Sequence, residues 1–478
     1  LGVAESSKKS NINQYLKLIA CVLFSACLWF FCKPDAVTAE GWKVFSVFAG
    51  VILSFVLRPV PMGVTVVIAL LVLGVTKTIG AKELMAGYAD TTVWLVVSAF
   101  LISGAVISTG FGKRIALKLV VWFGKTTLGL GYAICGAELI LGPVVPSNTA
   151  RGGGILAPIV NSLSATLGST SDESPKKVGS YLTLVGSHAN LITASMFLTG
   201  MAANPLVAKA ASDVMNIEFG WGTWALGAIV PGIIGLVLLP LLLYKIAKPE
   251  LTDGRKAQEQ AKSQLNQLGK RLSWKEWVML AVLVLMVALW ATGKIHGIKS
   301  MMVALLGVGI LLITKVQKWS EVIRNYAAWD TLIWLGGLLA MANLLKVHGM
   351  IKWFADMMQH GVSDFAPLYV VLALALIYFF SMYAFSMFTA HISAMVAPFL
   401  SVCLMASGYE MLAVALFAYL SCLSGSLTNY SSGPVVIYYG LGMVKSSKWF
   451  STGFVVAIFH LIVWLGIGMV WWKVLGWY

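Results

Sequence analysis

VPSNTARGGG, residues 145 to 154, interrupts two apolar runs, GYAICGAELILG before it and ILAPIV after it. Proline, glycine, hydroxyl, amide and guanidinium groups replace the carbon-rich side chains on either side. At membrane depth backbone polar groups must be satisfied internally, so a non-helical break persists only where it is buried in protein or lines a polar cavity. The stretch therefore reads as a site inside a membrane protein.

The flanking chain has the composition this requires. Its 478 residues are 59% hydrophobic and 11% charged, where soluble domains carry roughly 25% charged residues. The sequence predicts an all-α polytopic membrane protein. Fifteen apolar segments run from 16–32 to 452–476. Several are shorter than the roughly 20 residues of a straight span, which predicts broken helices or re-entrant hairpins. The net charge of +15 lies mainly in the connections, where the positive-inside bias accounts for it without a nucleic-acid partner. SSKKSNINQY precedes the first apolar run, with no small-residue cleavage site. That predicts a retained first helix, a cytoplasmic N-terminus and an inner (plasma) membrane location. The six cysteines show no CxxC pair and no metal-ligand spacing, and read as small buried hydrophobes.

One composition shift divides the chain. KIAKPELTDGRKAQEQAKSQLNQLGKRLSWKE, residues 245 to 276, is polar and net basic, and predicts a cytoplasmic linker at 247–275. It separates a first repeat at 41–246 from a second at 276–478, after an N-terminal segment and first helix at 1–40. At an offset of 240, Asp90, Thr91, Trp94 and Leu95 fall on Asp330, Thr331, Trp334 and Leu335. The same offset lays NTARGGGILAP on FTAHISAMVAP, putting Thr149 on Thr389, Arg151 on His391 and Pro158 on Pro398. Two matches at one offset indicate an internal duplication. Duplicated halves with broken helices characterise secondary transporters, whose sites lie where the repeats meet near the midplane. An odd number of spans per repeat inverts the halves, so that the two breaks approach one cavity from opposite sides.

In the first break Pro146 ends a helix, Ser147 and Thr149 offer hydroxyls, Asn148 offers an amide, and the glycines let backbone N–H groups approach a ligand. A helix starting near Arg151 aims its positive end at the break. The set suits an anion, a carbonyl-coordinated cation, or both. In the second break, YAFSMFTAHIS, Met387 and Phe388 stand where the first has Ser147 and Asn148, and His391 stands at the place of Arg151. The paired placement predicts that Arg151 and His391 offset substrate charge.

A further polar interruption is expected in each half. The first is Ser187, His188, Asn190, Thr193, Ser195, Thr199 and Asn204 within VGSHANLITASMFLTGMAANP; the second is Ser424, Ser426, Thr428, Asn429, Ser431, Ser432 and Gly433 within SGSLTNYSSGPVVIYYG. Buried acids are scarce: Asp90 and Asp330 read as helix caps, and Glu138 is the one candidate for a proton relay. G-x-x-x-x-G-K-[ST], H-E-x-x-H and G-x-S-x-G are all absent, which argues against a self-contained ATP-driven pump and against an enzyme.

Ser147-Asn148-Thr149 in a break, the lead-in TTVWLVVSAF, Thr389-Ala390-His391 in the second break and LTNYSSGP resemble the divalent anion:sodium symporter family. Within it they are most similar to the exchanger branch of 2-oxoglutarate/malate translocators and citrate or tartrate/succinate antiporters. The likeness extends from about Val44 to Trp471. It implies inverted repeats of about 11 transmembrane helices with two re-entrant hairpins, scaffold and transport domains, an elevator motion and a homodimer. It also implies di- or tricarboxylate substrates and no cofactor. By position the substrate site takes in Ser147, Asn148, Thr149, Thr389 and the unwound regions around Ser187 to Asn190 and Ser426 to Asn429.

Sodium-coupled members carry Ser-Asn-Thr in both hairpins. Here Met387 and Phe388 remove oxygen ligands, leaving a residual sodium site at Ser147 and Asn148 alone. The expected activity is sodium-independent exchange of C4/C5 dicarboxylates such as malate, succinate, fumarate and 2-oxoglutarate. Sodium-coupled symport of a dicarboxylate or citrate is the rival reading, and a dicarboxylate channel or receptor a more remote one.

Overall fold

The computed structural model describes residues 2–145, 147–362, 365–404 and 408–478. Its first half runs through α1 (Gly2–Phe31), α2 (Ala39–Leu57), α3 (Met62–Val75), α4 (Thr91–Thr109), α5 (Phe111–Phe123) and α6 (Thr127–Leu141). A π-helical segment, Thr149–Leu156, leads into α7 (Ala157–Thr166), followed by α8 (Gly179–Met196), α9 (Asn204–Met215) and α10 (Trp221–Ala247). After α11 (Arg255–Gln267) come α12 (Trp274–Ala291), α13 (Ser300–Ile313), α14 (Tyr326–Val347), α15 (Met350–Val362) and α16 (Pro367–Ser381). The chain closes with α17 (Phe388–Cys403), α18 (Glu410–Leu423), α19 (Gly433–Gly440) and α20 (Ser446–Leu461), the last continuing through a π-helical turn to Val474.

Local chemistry sets the helix starts. The Thr38 hydroxyl accepts from the Gly41 N–H, the Asp90 carboxylate from the Thr92 N–H, and Ser273 with Glu276 forms a reciprocal capping box on α12. Asp330, expected as a cap like Asp90, instead lies within the first turns of α14, whose cap is Asn325.

The chain is an all-α polytopic membrane protein. Nine helices among the described residues are long and apolar enough to cross a membrane. The number falls below the expected eleven partly because α3 and α13 have only 14 residues each, and because α8 carries serine, histidine, asparagine and threonine along its length.

Packing sorts the helices into two groups. α14 packs on α2, α3 and α4, and α4 on α13, giving a framework that includes α1 and α12. α8 packs on α6, α7, α10, α18 and α19, and α18 on α9, α16 and α17, giving an inner group. Residues 181–200 and 412–428 are buried throughout, so α8 and α18 with the turns that follow them form the centre of the inner group.

One expectation changes. α8 runs unbroken past Ser187, His188 and Asn190; the interruption comes later, at 197–203. Asn204 fixes it there by donating from Nδ2 to the Ala194 and Phe197 carbonyls at 2.7 and 2.9 Å, satisfying the open end of α8. The segment 247–275, expected as a linker, packs against its neighbours. Ala257 and Ala261 of α11 are buried, Gln258 donates to the Val121 carbonyl at 2.6 Å, and Arg114 donates to the Leu268 and Gly269 carbonyls at 2.6 and 2.7 Å.

Candidate functional site: two hairpin tips and two broken helices

The first tip joins α6 to α7. Pro146, read as the helix stop, lies outside the described residues. Ser147 serves as the cap, its Oγ accepting from the Ala150 N–H at 3.1 Å and its carbonyl from the Arg151 N–H at 2.9 Å. The glycines that follow permit close approach. A Cβ on Gly152 would stand 2.7 Å from Asn190 Nδ2 and 3.1 Å from Pro434 Cβ, and one on Gly433 would collide with Thr149. The tip is therefore wedged between α8 and the start of α19, on a π-helical turn of the kind common at functional sites.

Arg151 is wholly buried, and each of its three guanidinium nitrogens has a partner. Its Nε donates to Glu138 at 2.6 Å, Nη1 to the Val145 and Gly200 carbonyls at 2.8 and 3.1 Å, and Nη2 to Thr193 Oγ1 at 3.2 Å. Asn190 and Thr193 donate to the Glu138 carboxylate, each at 2.9 Å. Arg151 is thus not the open positive charge expected from the sequence: Glu138 neutralises it. Glu138, singled out as a proton-relay candidate, is its ion-pair partner. Removing one member of such a pair costs about 3–5 kcal/mol, because the other is left buried and uncompensated.

The second tip, between α16 and α17, has a carbon interior. The Phe388 ring lies against Gly425 and Leu191, so that a Cβ on Gly425 would strike it. His391 stacks on Tyr378 with ring centroids 4.1 Å apart, and its Nε2 donates to the Tyr378 carbonyl at 3.0 Å and meets Ser381 Oγ at 2.8 Å. Thr389 is half-buried.

Between the tips lie the two breaks, 197–203 after α8 and 424–432 after α18. In the second, Thr428 is buried with no protein partner for its hydroxyl, while Asn429 is half-buried. Asn148 Nδ2, Ser187 Oγ and Ser432 Oγ are likewise buried and unpartnered. Asn190 joins the first tip by donating to the Asn148 carbonyl at 3.2 Å. His188 does not. It stands on another face of α8 and stacks on Trp449 of α20, with centroids 6.5 Å apart.

Read from the sequence, the break centres on Ser187 to Asn190, ahead of the 197–203 segment where α8 ends, so Thr199 stayed outside the substrate set and Gly200 went unnamed. Thr199 Oγ1 donates to the Pro143 carbonyl at 2.9 Å, and the Gly200 carbonyl receives Arg151. The signal was present: Leu198-Thr199 precedes Pro205 as Leu427-Thr428 precedes Pro434, with the same spacing.

A many-span helical protein in which two hairpin tips converge on broken central helices has the build of a membrane transporter. A family model for the sodium:sulfate symporter transmembrane region matches residues 12–478, and the chain belongs to that family, the divalent anion:sodium symporters its motifs resemble. It is 40% identical over 469 residues to YflS of Bacillus subtilis (strain 168), a proposed malate transporter, with 98% of each chain covered. To the chloroplast dicarboxylate transporter 1 of Spinacia oleracea it is 37% identical over 462 residues, covering 96% of this chain and 81% of that one. The crystal structure of the YdaH transporter from Alcanivorax borkumensis shares the fold, with a TM-score of 0.53 at 13% identity over 82% of this chain and 88% of that one.

Proposed function

We propose that the protein exchanges C4/C5 dicarboxylates such as malate, succinate, fumarate and 2-oxoglutarate across the plasma membrane, independently of sodium. The observation that carries this reading is the use made of Arg151 and His391. At matching places in the two hairpins, each commits N–H groups to main-chain carbonyls: Arg151 to Val145 and Gly200, His391 to Tyr378. Carbonyl oxygens are the ligands a hard cation takes. In both hairpins a protein donor is directed at such oxygens, and Phe388 fills the second tip with carbon, where it offers a cation no ligand.

The substrate class follows from the names of the relatives and from the donors at the tips. Ser147, Asn148, Thr149 and Thr389, with Thr428 and Asn429 of the second break, surround the bound dicarboxylate. His188 stands behind this set. Buried polar groups without a partner cost about 1–3 kcal/mol each; a bound dicarboxylate offsets that cost, so the loaded carrier crosses readily and the empty one slowly. That asymmetry is what makes a carrier an exchanger.

In this mechanism the inner group is the transport domain. It slides as an elevator on the framework, which serves as the scaffold of a homodimer; the halves are inverted repeats, and the tips are re-entrant hairpins. Sodium-coupled symport remains the second reading because Ser147 and Asn148 are retained in the first tip.

The test is uptake of labelled malate into proteoliposomes with and without unlabelled malate or 2-oxoglutarate inside. Uptake that requires internal substrate supports exchange. Uptake into empty vesicles driven by a sodium gradient supports symport and ends the exchange reading.

A further inference from the structure

The seam between framework and inner group is mostly apolar and loosely filled. A cavity of about 160 Å³ lies along it, lined by Phe45 and Phe48 of α2, Leu338 of α14, Val214 of α9, and Ile392 and Pro398 of α17. Apolar surfaces with a void between them offer little resistance to sliding, since they hold no directional bonds.

Among the described residues, the polar side-chain contacts that cross this seam gather in two places. At the first, Arg58 at the C-terminal end of α2 donates to the Ser386 carbonyl of the second hairpin tip. Ser386 Oγ in turn donates to the Val56 carbonyl at 3.0 Å and lies 3.4 Å from that of Phe55. The last carbonyls of a helix have no intrahelical donor, so the hairpin completes α2 from 330 residues away in the chain.

At the second place, four charges alternate in sign. Lys209 of α9 lies 3.6 Å from Asp90 at the start of α4 and 3.1 Å from Asp213, and Asp213 lies 3.3 Å from Lys346 of α14. α9 packs against the second hairpin and α18, so both clasps hold one moving unit.

We propose that Arg58 and the charge chain Asp90–Lys209–Asp213–Lys346 form a two-point latch that docks the second hairpin and α9 on the framework and opens in every transport cycle. Arg58 is a positioning residue, since it acts on the hairpin tip through Ser386. The half-exposed ion pairs are individually weak, which suits a latch that must release repeatedly. The latch rests on the elevator reading, so its test separates the two.

Movement is tested first. In the Asp213→Cys, Lys346→Cys protein, a short bifunctional thiol reagent bridging the two positions stops malate exchange if α9 must part from α14. Full exchange in the bridged protein overturns the elevator reading and the latch with it.

The latch is then tested by Arg58→Ala and Lys346→Met, with the apparent KM for malate read from each face of oriented vesicles. Weakening the docked state moves the two values in opposite directions, by roughly three- to tenfold, while Arg58→Lys and Lys346→Arg retain the wild-type pair of values. Unchanged sidedness in both variants, alongside a bridge that blocks exchange, overturns the latch and leaves the elevator standing. Because the two clasps are independent, failure of one variant to reach the membrane still leaves the other to decide.

Discussion

At the first hairpin tip the chain turns on serine, asparagine and threonine; at the corresponding place in the second it turns on methionine, phenylalanine and threonine. The first is held by a buried ion pair in which each guanidinium nitrogen has a partner. The second is held by rings, Phe388 against Gly425 and His391 against Tyr378. Positions matched by sequence offset can thus share a backbone role while their stability rests on different forces. The common element is a basic side chain directed at main-chain carbonyls.

That difference predicts how each tip breaks. The largest effect belongs to the ion pair. Arg151→Met leaves Glu138 buried and uncompensated and costs about 3–5 kcal/mol, read as a lower unfolding temperature in detergent. Glu138→Gln combined with Arg151→Met recovers much of the loss. If the double variant is no better than Arg151→Met alone, the two residues are not a coupled pair.

At the second tip Phe388→Ala opens a cavity and costs about 3 kcal/mol. Since that loss is apolar packing, Phe388→Leu should restore most of it and Phe388→Asn should not. Equal recovery by both would show that packing does not hold this tip.

Ser147→Ala removes one cap, worth about 1 kcal/mol of stability, and lowers malate exchange roughly tenfold if the same hydroxyl reaches substrate. The matching change at the second tip, Thr389→Ala, should lower exchange with little change in unfolding temperature, because its hydroxyl caps no helix. Wild-type exchange in both variants at equal abundance would remove the tips from the site.

Much of this architecture is legible in the sequence. The apolar segments give the fold class, and the run from Ser147 to Gly154 gives the first hairpin tip because no plain helix accommodates it. The place of the first break was harder to read. Ser187, His188 and Asn190 resemble an interruption by composition, yet α8 runs through them: Asn190 faces Glu138 and His188 faces Trp449, while the Ser187 hydroxyl is buried without a protein partner. The pairing of Arg151 with Glu138 was equally hidden, since 13 residues and a reversal of chain direction separate them. Only the packing of the hairpin on itself brings the carboxylate to the guanidinium. The clasp between Arg58 and Ser386 joins residues 328 apart, and no local pattern announces it.

Sodium independence rests on the second tip, where Met387 and Phe388 supply no oxygen side-chain ligand. Calorimetric titration of the purified protein with malate, in choline buffer and again in sodium buffer at equal ionic strength, tests it most directly. The two dissociation constants should agree within about twofold; tightening of tenfold or more in sodium would mean that a sodium ion binds together with malate.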